Sequence, residues 1–192
     1  TPYWKRCGWR GRTQTTCNHC GFCTVSHHYD DHLTVSLLPG LSADLNQCLQ
    51  HSFATELLPA PDRCADGCQR TGCRKKSLIT DVWPEVLCIQ VKRWLPNQWL
   101  PGVFTKEPRP LDVPMQLDQF RGGPTFDYVL CSAITHTGDK AFSGHYTTVF
   151  RSTETGSWML ANDASVSACS GNVKHELKNA FLIFYTKKSV VA

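Results

Sequence analysis

Two groups of residues in this chain of 192 have types and spacings that suit chemistry. The first is His145 with Asn162 and Asp163. Turn residues between Thr153 and Gly156 fold the chain into a hairpin that brings His145 opposite, or diagonal to, Asn162, and such neighbours are within side-chain reach. Register decides the partner, because a slip of one residue exchanges Asn162 for Asp163 on the histidine's face. Either side chain accepts a hydrogen bond from one imidazole nitrogen. That bond fixes the tautomer and leaves the other nitrogen to take a proton from a nucleophile, the logic of Cys-His-Asn and Cys-His-Asp arrangements. The plain alternative is a solvated or structurally satisfied histidine. The second group is Cys17 and Cys20, a C-x2-C knuckle, with Cys64 and Cys68, a C-x3-C pair. Four thiolates of this kind close a tetrahedral zinc site between two distant segments, and four protein ligands make such a site structural. Free thiols are the alternative, and Cys73 competes with Cys68 for the fourth place, with Cys23, His27, His28 and His32 as further substitutes.

These residues need elements to position them. Leu45, Cys48, Leu49, Phe53 and Leu57 fall at helical spacing within 42–58, with Ser42 placed to cap the start, which predicts one amphipathic helix. Leu87, Ile89 and Val91 share one face of a strand, and Pro84 limits its upstream extent. Five prolines lie between Leu95 and Pro114. That composition reads as a surface connection. Beyond Gly123 come β-rich segments at 126–136, 145–152, 158–163 and 180–187, the first three separated by turn residues at Thr137, Gly138, Asp139 and at Thr155, Gly156. Short turns join antiparallel neighbours, so the C-terminal half is expected to be an antiparallel sheet. The run Phe126 to Ala133 is apolar on both parities, which suggests a strand covered on both faces.

Composition narrows the function classes. Twenty basic against sixteen acidic residues leave +4, too mild to make phosphate binding the default, so a nucleic-acid partner is not expected. The basic run Arg70, Arg74, Lys75 and Lys76 reads as a solvated surface. The longest apolar stretch, Ala180 to Tyr185, is far below the ~18 residues a bilayer span needs, and no membrane partner is expected. Eleven cysteines, an odd count without a secretory signal, favour metal or free thiols over disulfides. Reduced thiols suit a cytoplasmic or nuclear location. Burial at a seam is the default for Trp4, Trp9 and Trp99.

Ser143, Gly144, His145, Tyr146 and Thr147, then Trp158, then Asn162 and Asp163, then Ala180 to Tyr185, resemble the histidine-box region of the ubiquitin-specific proteases, in the same order. Upstream, Pro84 and Val86 to Trp94 look like that family's P-x-x-L-x-x-x-L-K-R-F strand, 45–57 like its helix after the first cysteine pair, and His136 with Gly138 like its H-x-G element. The resemblance implies an α+β papain-like cysteine protease fold with an antiparallel palm sheet, zinc-ribbon-like fingers and no thumb. Fingers would occupy about 10–80 and the palm about 81–188, with 189–192 a tail. It implies that His145 is the general base, that Asn162 orients its ring and that Asp163 assists. Gly144 and Tyr146 would contact the ubiquitin tail. It also puts Zn2+ on Cys17, Cys20, Cys64 and Cys68 at the finger tip, and makes ubiquitin and ubiquitinated proteins the partners of an enzyme that hydrolyses the bond after ubiquitin's C-terminal glycine.

One feature departs from the family pattern: no G-x-x-N-x-G-N-T-C-Y-like nucleophile box exists here. Cys7 precedes Gly-Trp, Cys48 sits in the expected helix, and Cys88 and Cys131 read as strand core. The chain is therefore expected to carry the base and its orienter without the thiol, and to be inactive by itself. Either a longer product supplies the box, which the non-Met start favours, or the chain is a catalytically inactive ubiquitin-binding pseudoprotease module.

Overall fold

A computed structural model describes residues 2–38, 43–96, 102–117, 127–140, 143–169 and 171–188. The expected tail at 189–192, the capping Ser42, Phe126 and Trp99 lie outside the described residues.

The threonine-rich segment Trp9–Cys17 is a strand with antiparallel partners on both sides, Cys23–Asp30 and Arg74–Val82, and Glu56–Leu57 adds a short fourth strand beyond the latter. β-Branched side chains suit this narrow, half-exposed ribbon. The second sheet has eight strands, in the order Ser165–Ala168, Trp158–Asn162, Ser143–Arg151, Tyr128–Lys140, Ala180–Lys187, Val86–Lys92 and Leu33–Ser36, with Gln116–Leu117 paired to the start of Tyr128–Lys140. All neighbours are antiparallel except Leu33–Ser36, which runs parallel to Val86–Lys92. The antiparallel C-terminal sheet expected from the turn residues is present, and the architecture is α+β.

The core lies against this second sheet. Leu45, Cys48, Leu49 and Phe53 from the helix Leu45–Phe53 meet Leu87, Ile89, Val91, Tyr128, Leu130, Ile183 and Tyr185. Each such side chain contributes on the order of 1.5–3 kcal/mol by leaving water. Trp9 joins this cluster as well. The helix differs from expectation at both ends. Its cap is Asp44, whose side chain accepts from the Gln47 N–H at 2.9 Å. It stops at Phe53, and Leu57 is exposed in the Glu56–Leu57 strand. Pro59 disfavours helical backbone at Leu58, and pairing with Lys75 and Lys76 gives 56–57 a ladder instead.

Two further expectations are corrected. The proline-rich stretch is more than a surface connection. Trp94–Pro96 pairs with Phe104–Lys106, and Leu111 and Val113 are buried. Arg93, also buried, anchors the stretch by donating to the carbonyls of Ala180, Lys178, Glu107 and Arg109 at 2.7–3.1 Å. The second correction concerns Thr137, Gly138 and Asp139, which are not a turn. The strand runs on to Lys140, with a register shift between Thr137 and Lys140 at Gly138, whose φ is 117°. Carbonyls of His136 and Gly138 are taken up by Lys106 Nζ, each at 2.7 Å, which stabilises the irregular segment. In the strand that begins the C-terminal half, Tyr128, Leu130 and Ala133 are buried while Val129 and Cys131 are half-buried, so one face is core and the other is only partly covered.

Candidate functional site

The hairpin between Ser143–Arg151 and Trp158–Asn162 turns where expected. The Ser152 N–H donates to Ser157 O at 2.8 Å and the Gly156 N–H to Ser152 O at 2.9 Å. The ladder pairs Thr148 with Ala161. One step further, Asn162 falls across from Thr147, on the face of His145 and diagonal to it. The register therefore selects the carboxamide. His145 Nε2–H donates to Asn162 Oδ1 at 2.6 Å, leaving Nδ1 with the lone pair and with no hydrogen-bond partner among the described residues. Asp163, at φ 49° in the turn that follows, holds its Oδ2 3.9 Å from Nε2, too far for a hydrogen bond. The His145 side chain is 46% exposed, so Nδ1 chemistry is open to an approaching group.

Beneath His145 the preceding strand contributes His136, which is buried and lies between Trp94, at 5.3 Å edge-on, and Tyr146, at 4.6 Å. Burial and then the positive charge of Lys106 hold the His136 ring below its ordinary value, so it is neutral at physiological pH. Its Nδ1 is buried without a hydrogen-bond partner among the described residues. A Cβ on Gly144 would stand 2.2 Å from His136 Nε2 and 2.5 Å from Thr137 O. Glycine is therefore required at 144 by the packing of His136, whatever else it admits. Tyr146, adjacent to the base, is half-exposed and its ring also meets Phe181 at 6.3 Å. Trp94 and Lys106 are the residues sequence reasoning missed here. Nothing in a proline-rich stretch signals that its hairpin folds back under the histidine strand.

None of the eleven cysteines hydrogen-bonds His145 among the described residues. Burial pushes the Cys48 and Cys131 thiols up and that of Cys88 up to about 12, which makes them core thiols and not nucleophiles.

At the far end of the finger ribbon, the sulfurs of Cys17, Cys20, Cys64 and Cys68 all lie within 4.8 Å of one another. The knuckle closes through the Gly21 N–H to Cys17 O at 3.0 Å, with Gly21 at φ 74°. The second loop closes through Cys64 N–H to Arg70 O and Gln69 N–H to Cys64 O, both 2.9 Å, and Asn18 N–H to Cys73 O at 2.8 Å joins the two. The extra residue of the C-x3-C pair is accommodated at Gly67, where a Cβ would stand 2.7 Å from Cys64 Sγ and 2.9 Å from Cys20 Sγ. Backbone N–H groups of Cys20 and His19 draw the Cys17 thiol down to about 6, while burial pushes Cys64 up to about 12. Cys17–Cys68 and Cys20–Cys64 are each 3.7 Å apart. A tetrahedron of sulfurs with Zn–S bonds of 2.3 Å has edges of about 3.8 Å, so the four suit that metal. Of the other substitutes, Cys23 Sγ meets Thr16 and Thr24, His28 meets Thr13, His32 meets Asp31, and His27 lies across from Arg12 in the ribbon.

A palm sheet that carries a histidine held by a carboxamide, with a four-cysteine finger ribbon beside it, defines the papain-like fold of the ubiquitin-specific proteases. The chain belongs to the ubiquitin carboxyl-terminal hydrolase family, whose sequence pattern matches residues 12–185. It is 28% identical over 183 residues to human ubiquitin carboxyl-terminal hydrolase 17, which covers 93% of this chain and 33% of that protein. Over the same length it is 27% identical to human inactive ubiquitin carboxyl-terminal hydrolase 17-like protein 8. It thus spans about a third of the length of these two relatives. Among solved structures, a chain of the yeast SAGA DUB module superposes with a TM-score of 0.82 at 24% identity, covering 96% of this chain and 41% of that one. A chain of the SAGA DUB module bound to ubiquitin aldehyde gives 0.77, also at 24% identity, with 96% and 42% covered. These likenesses carry the fold. No helix among the described residues is long and apolar enough to cross a membrane.

Proposed function

We propose that this chain is the base-bearing palm and the fingers of a ubiquitin-specific cysteine protease, which removes ubiquitin from protein conjugates by hydrolysing the isopeptide or peptide bond after its C-terminal glycine. The observation that carries this reading is the 2.6 Å bond from His145 Nε2 to Asn162 Oδ1. With that bond made, Nδ1 is the basic atom. It takes the proton of a cysteine thiol, so that thiolate attacks the carbonyl, and returns the proton to the departing amine. Asn162 holds the ring through both transfers, and Asp163, highly exposed, assists from 3.9 Å on the Nε2 side of the ring. Gly144 and the half-exposed Tyr146 line the approach of the ubiquitin tail, whose terminal glycines fit beside backbone. The thiol itself is not among the eleven cysteines, so this chain alone supplies base and orienter without nucleophile. Fingers at about 10–80 and palm at about 81–188 describe the division of work, except that Leu33–Ser36 and the helix Leu45–Phe53 go with the palm sheet.

Zinc on Cys17, Cys20, Cys64 and Cys68 would hold the finger tip as a structural cross-link without an open coordination position. Ubiquitin and ubiquitinated proteins are the partners of this reading. A compartment that keeps thiols reduced, cytoplasmic or nuclear, suits the eleven unpaired cysteines.

A second reading is supported by the relatives named as inactive and by the lack of a cysteine on His145: a catalytically inactive module that binds ubiquitin. Titration of isotope-labelled ubiquitin with the purified chain tests what the two share. Shifts at the ubiquitin C-terminal tail are expected, and no shifts at millimolar chain would overturn both. A ubiquitin probe with a thiol-reactive C-terminus separates them. Any longer product of this gene should be labelled, and lose labelling with His145→Ala, if the enzyme reading holds.

A further inference from the structure

Five thiols crowd a site that uses four. Cys17 Sγ stands 3.7 Å from Cys68 Sγ and 3.4 Å from Cys73 Sγ, so its nearer sulfur neighbour is the one outside the tetrahedral set. Cys73 is partly exposed, and besides Cys17 its sulfur has the Arg70 carbonyl at 3.4 Å as a hydrogen-bond acceptor. Its backbone is fixed beside the first knuckle, because Asn18 N–H donates to Cys73 O and Cys17 pairs with Arg74 in the ladder. A zinc ion with four sulfur ligands has no position for a fifth, which leaves Cys73 as a spare thiol touching a metal-bound thiolate. The gap to a disulfide is about 1.4 Å, the difference between 3.4 Å and a bond of 2.05 Å, and rotation of two side chains, one at the end of Trp9–Cys17 and one just before Arg74–Val82, can close it.

We propose that Cys17 and Cys73 form a redox pair built onto the finger, joined as a disulfide by hydroperoxides, with release of the metal. The inference rests on the zinc reading given above. In the first step one sulfur of the pair, as thiolate, attacks the terminal peroxide oxygen, the O–O bond breaks, hydroxide (alkoxide from an organic hydroperoxide) leaves and a sulfenic acid forms. In the second, the other sulfur attacks that sulfur, the S–S bond forms, the S–O bond breaks and its oxygen departs as water with the remaining thiol proton. The peroxide gains two electrons and the sulfur pair loses two. Cys17 can no longer serve as a thiolate ligand, and three sulfurs hold zinc far less well than four. Cys20 and Cys64 are also 3.7 Å apart, but both are ligands with no spare thiol between them, so the geometry selects Cys17 with Cys73.

The test uses the purified chain loaded with zinc and treated with hydrogen peroxide, with released zinc read by a chromophoric chelator and disulfides located by peptide mass spectrometry. Expected are a Cys17–Cys73 linked peptide, lighter by two hydrogens than its parts, and a Cys73→Ser chain that binds the same zinc but releases it several-fold more slowly. Equal release rates for the two chains, or a Cys20–Cys64 link with Cys73 still reduced, would overturn the proposal. Zinc content is measured before oxidant is added. A chain with less than half an equivalent sinks the zinc reading separately, and the mapping then decides the pair by itself: a Cys17–Cys73 link supports it, and any other link or none overturns it.

Discussion

Replacing Asn162 with Ala removes the acceptor 2.6 Å from His145 Nε2 and leaves everything else in the hairpin ladder in place. A neutral hydrogen bond contributes about 0.5–1.5 kcal/mol net in water, and with the ring 46% exposed a solvent molecule partly replaces the lost oxygen. The preference for the Nε2–H tautomer should therefore fall by about 0.5–1 kcal/mol, roughly two- to fivefold in the tautomer ratio. Asp163 cannot substitute from 3.9 Å. Global stability should change by no more than about 0.5 kcal/mol, because both side chains are exposed. Long-range proton–nitrogen spectra of the neutral ring read this directly, since the two nitrogens resonate far apart when one tautomer dominates and converge as the tautomers mix. Asn162→Asp keeps an oxygen on the same face and should keep the wild-type tautomer. If Asn162→Ala leaves both nitrogen frequencies where they are in the wild type, the carboxamide does not orient the ring and the argument for the base fails.

Gly144→Ala should cost about 2–3 kcal/mol in denaturant unfolding, because the new methyl would overlap the His136 ring and Thr137 carbonyl; an unchanged midpoint would show that His136 can move aside. Arg93→Met, which takes the guanidinium donors from the carbonyls of Ala180, Glu107 and Arg109 and leaves Lys178 O only the Leu111 N–H, should cost about 3 kcal/mol, and Arg93→Lys should recover only part of it. The depressed His136 titration gives stability a pH dependence whose sign is fixed. Below its ordinary value of 6.5 the unfolded chain binds a proton that the folded chain does not, so stability present above that value is lost as pH falls toward the folded value. Urea midpoints across that range should decline in the wild type and decline less in His136→Phe. Chelation of the metal should lower the thermal midpoint and loosen amide protection around Cys17–Gly21 and Cys64–Cys73, while Cys20→Ser should reproduce the loss without chelator; a chain indifferent to both would mean the sulfurs are free thiols.

What was legible in the amino-acid order is what short-range chemistry determines. The hairpin around Thr153 to Gly156 could be found because turn residues sit between two apolar runs, and a hairpin forces its strand ends together. The cysteine pairs could be found because metal chemistry restricts their spacing. The strands of the finger went unnoticed, since Trp9–Cys17 and Arg74–Val82 alternate polar with polar and show no buried face by periodicity. The spacing carries the expected helix on to 58 because Leu57 continues the apolar pattern, although Pro59 and a waiting strand edge end the helix at Phe53.

By itself, then, the order of residues determined that a histidine and a carboxamide or carboxylate would meet across a ribbon, and that paired cysteines would gather at another place. Only the tertiary structure decided which partner the histidine takes, because register depends on ladder pairing along the whole hairpin. It alone ranked Cys68 ahead of Cys73 in the tetrahedral set, because the separations of sulfurs from distant segments are set by how those segments pack. It alone put Lys106 and Trp94 under the histidine strand, since contacts between residues far apart in the chain follow from burial of a shared core and leave no local pattern to read.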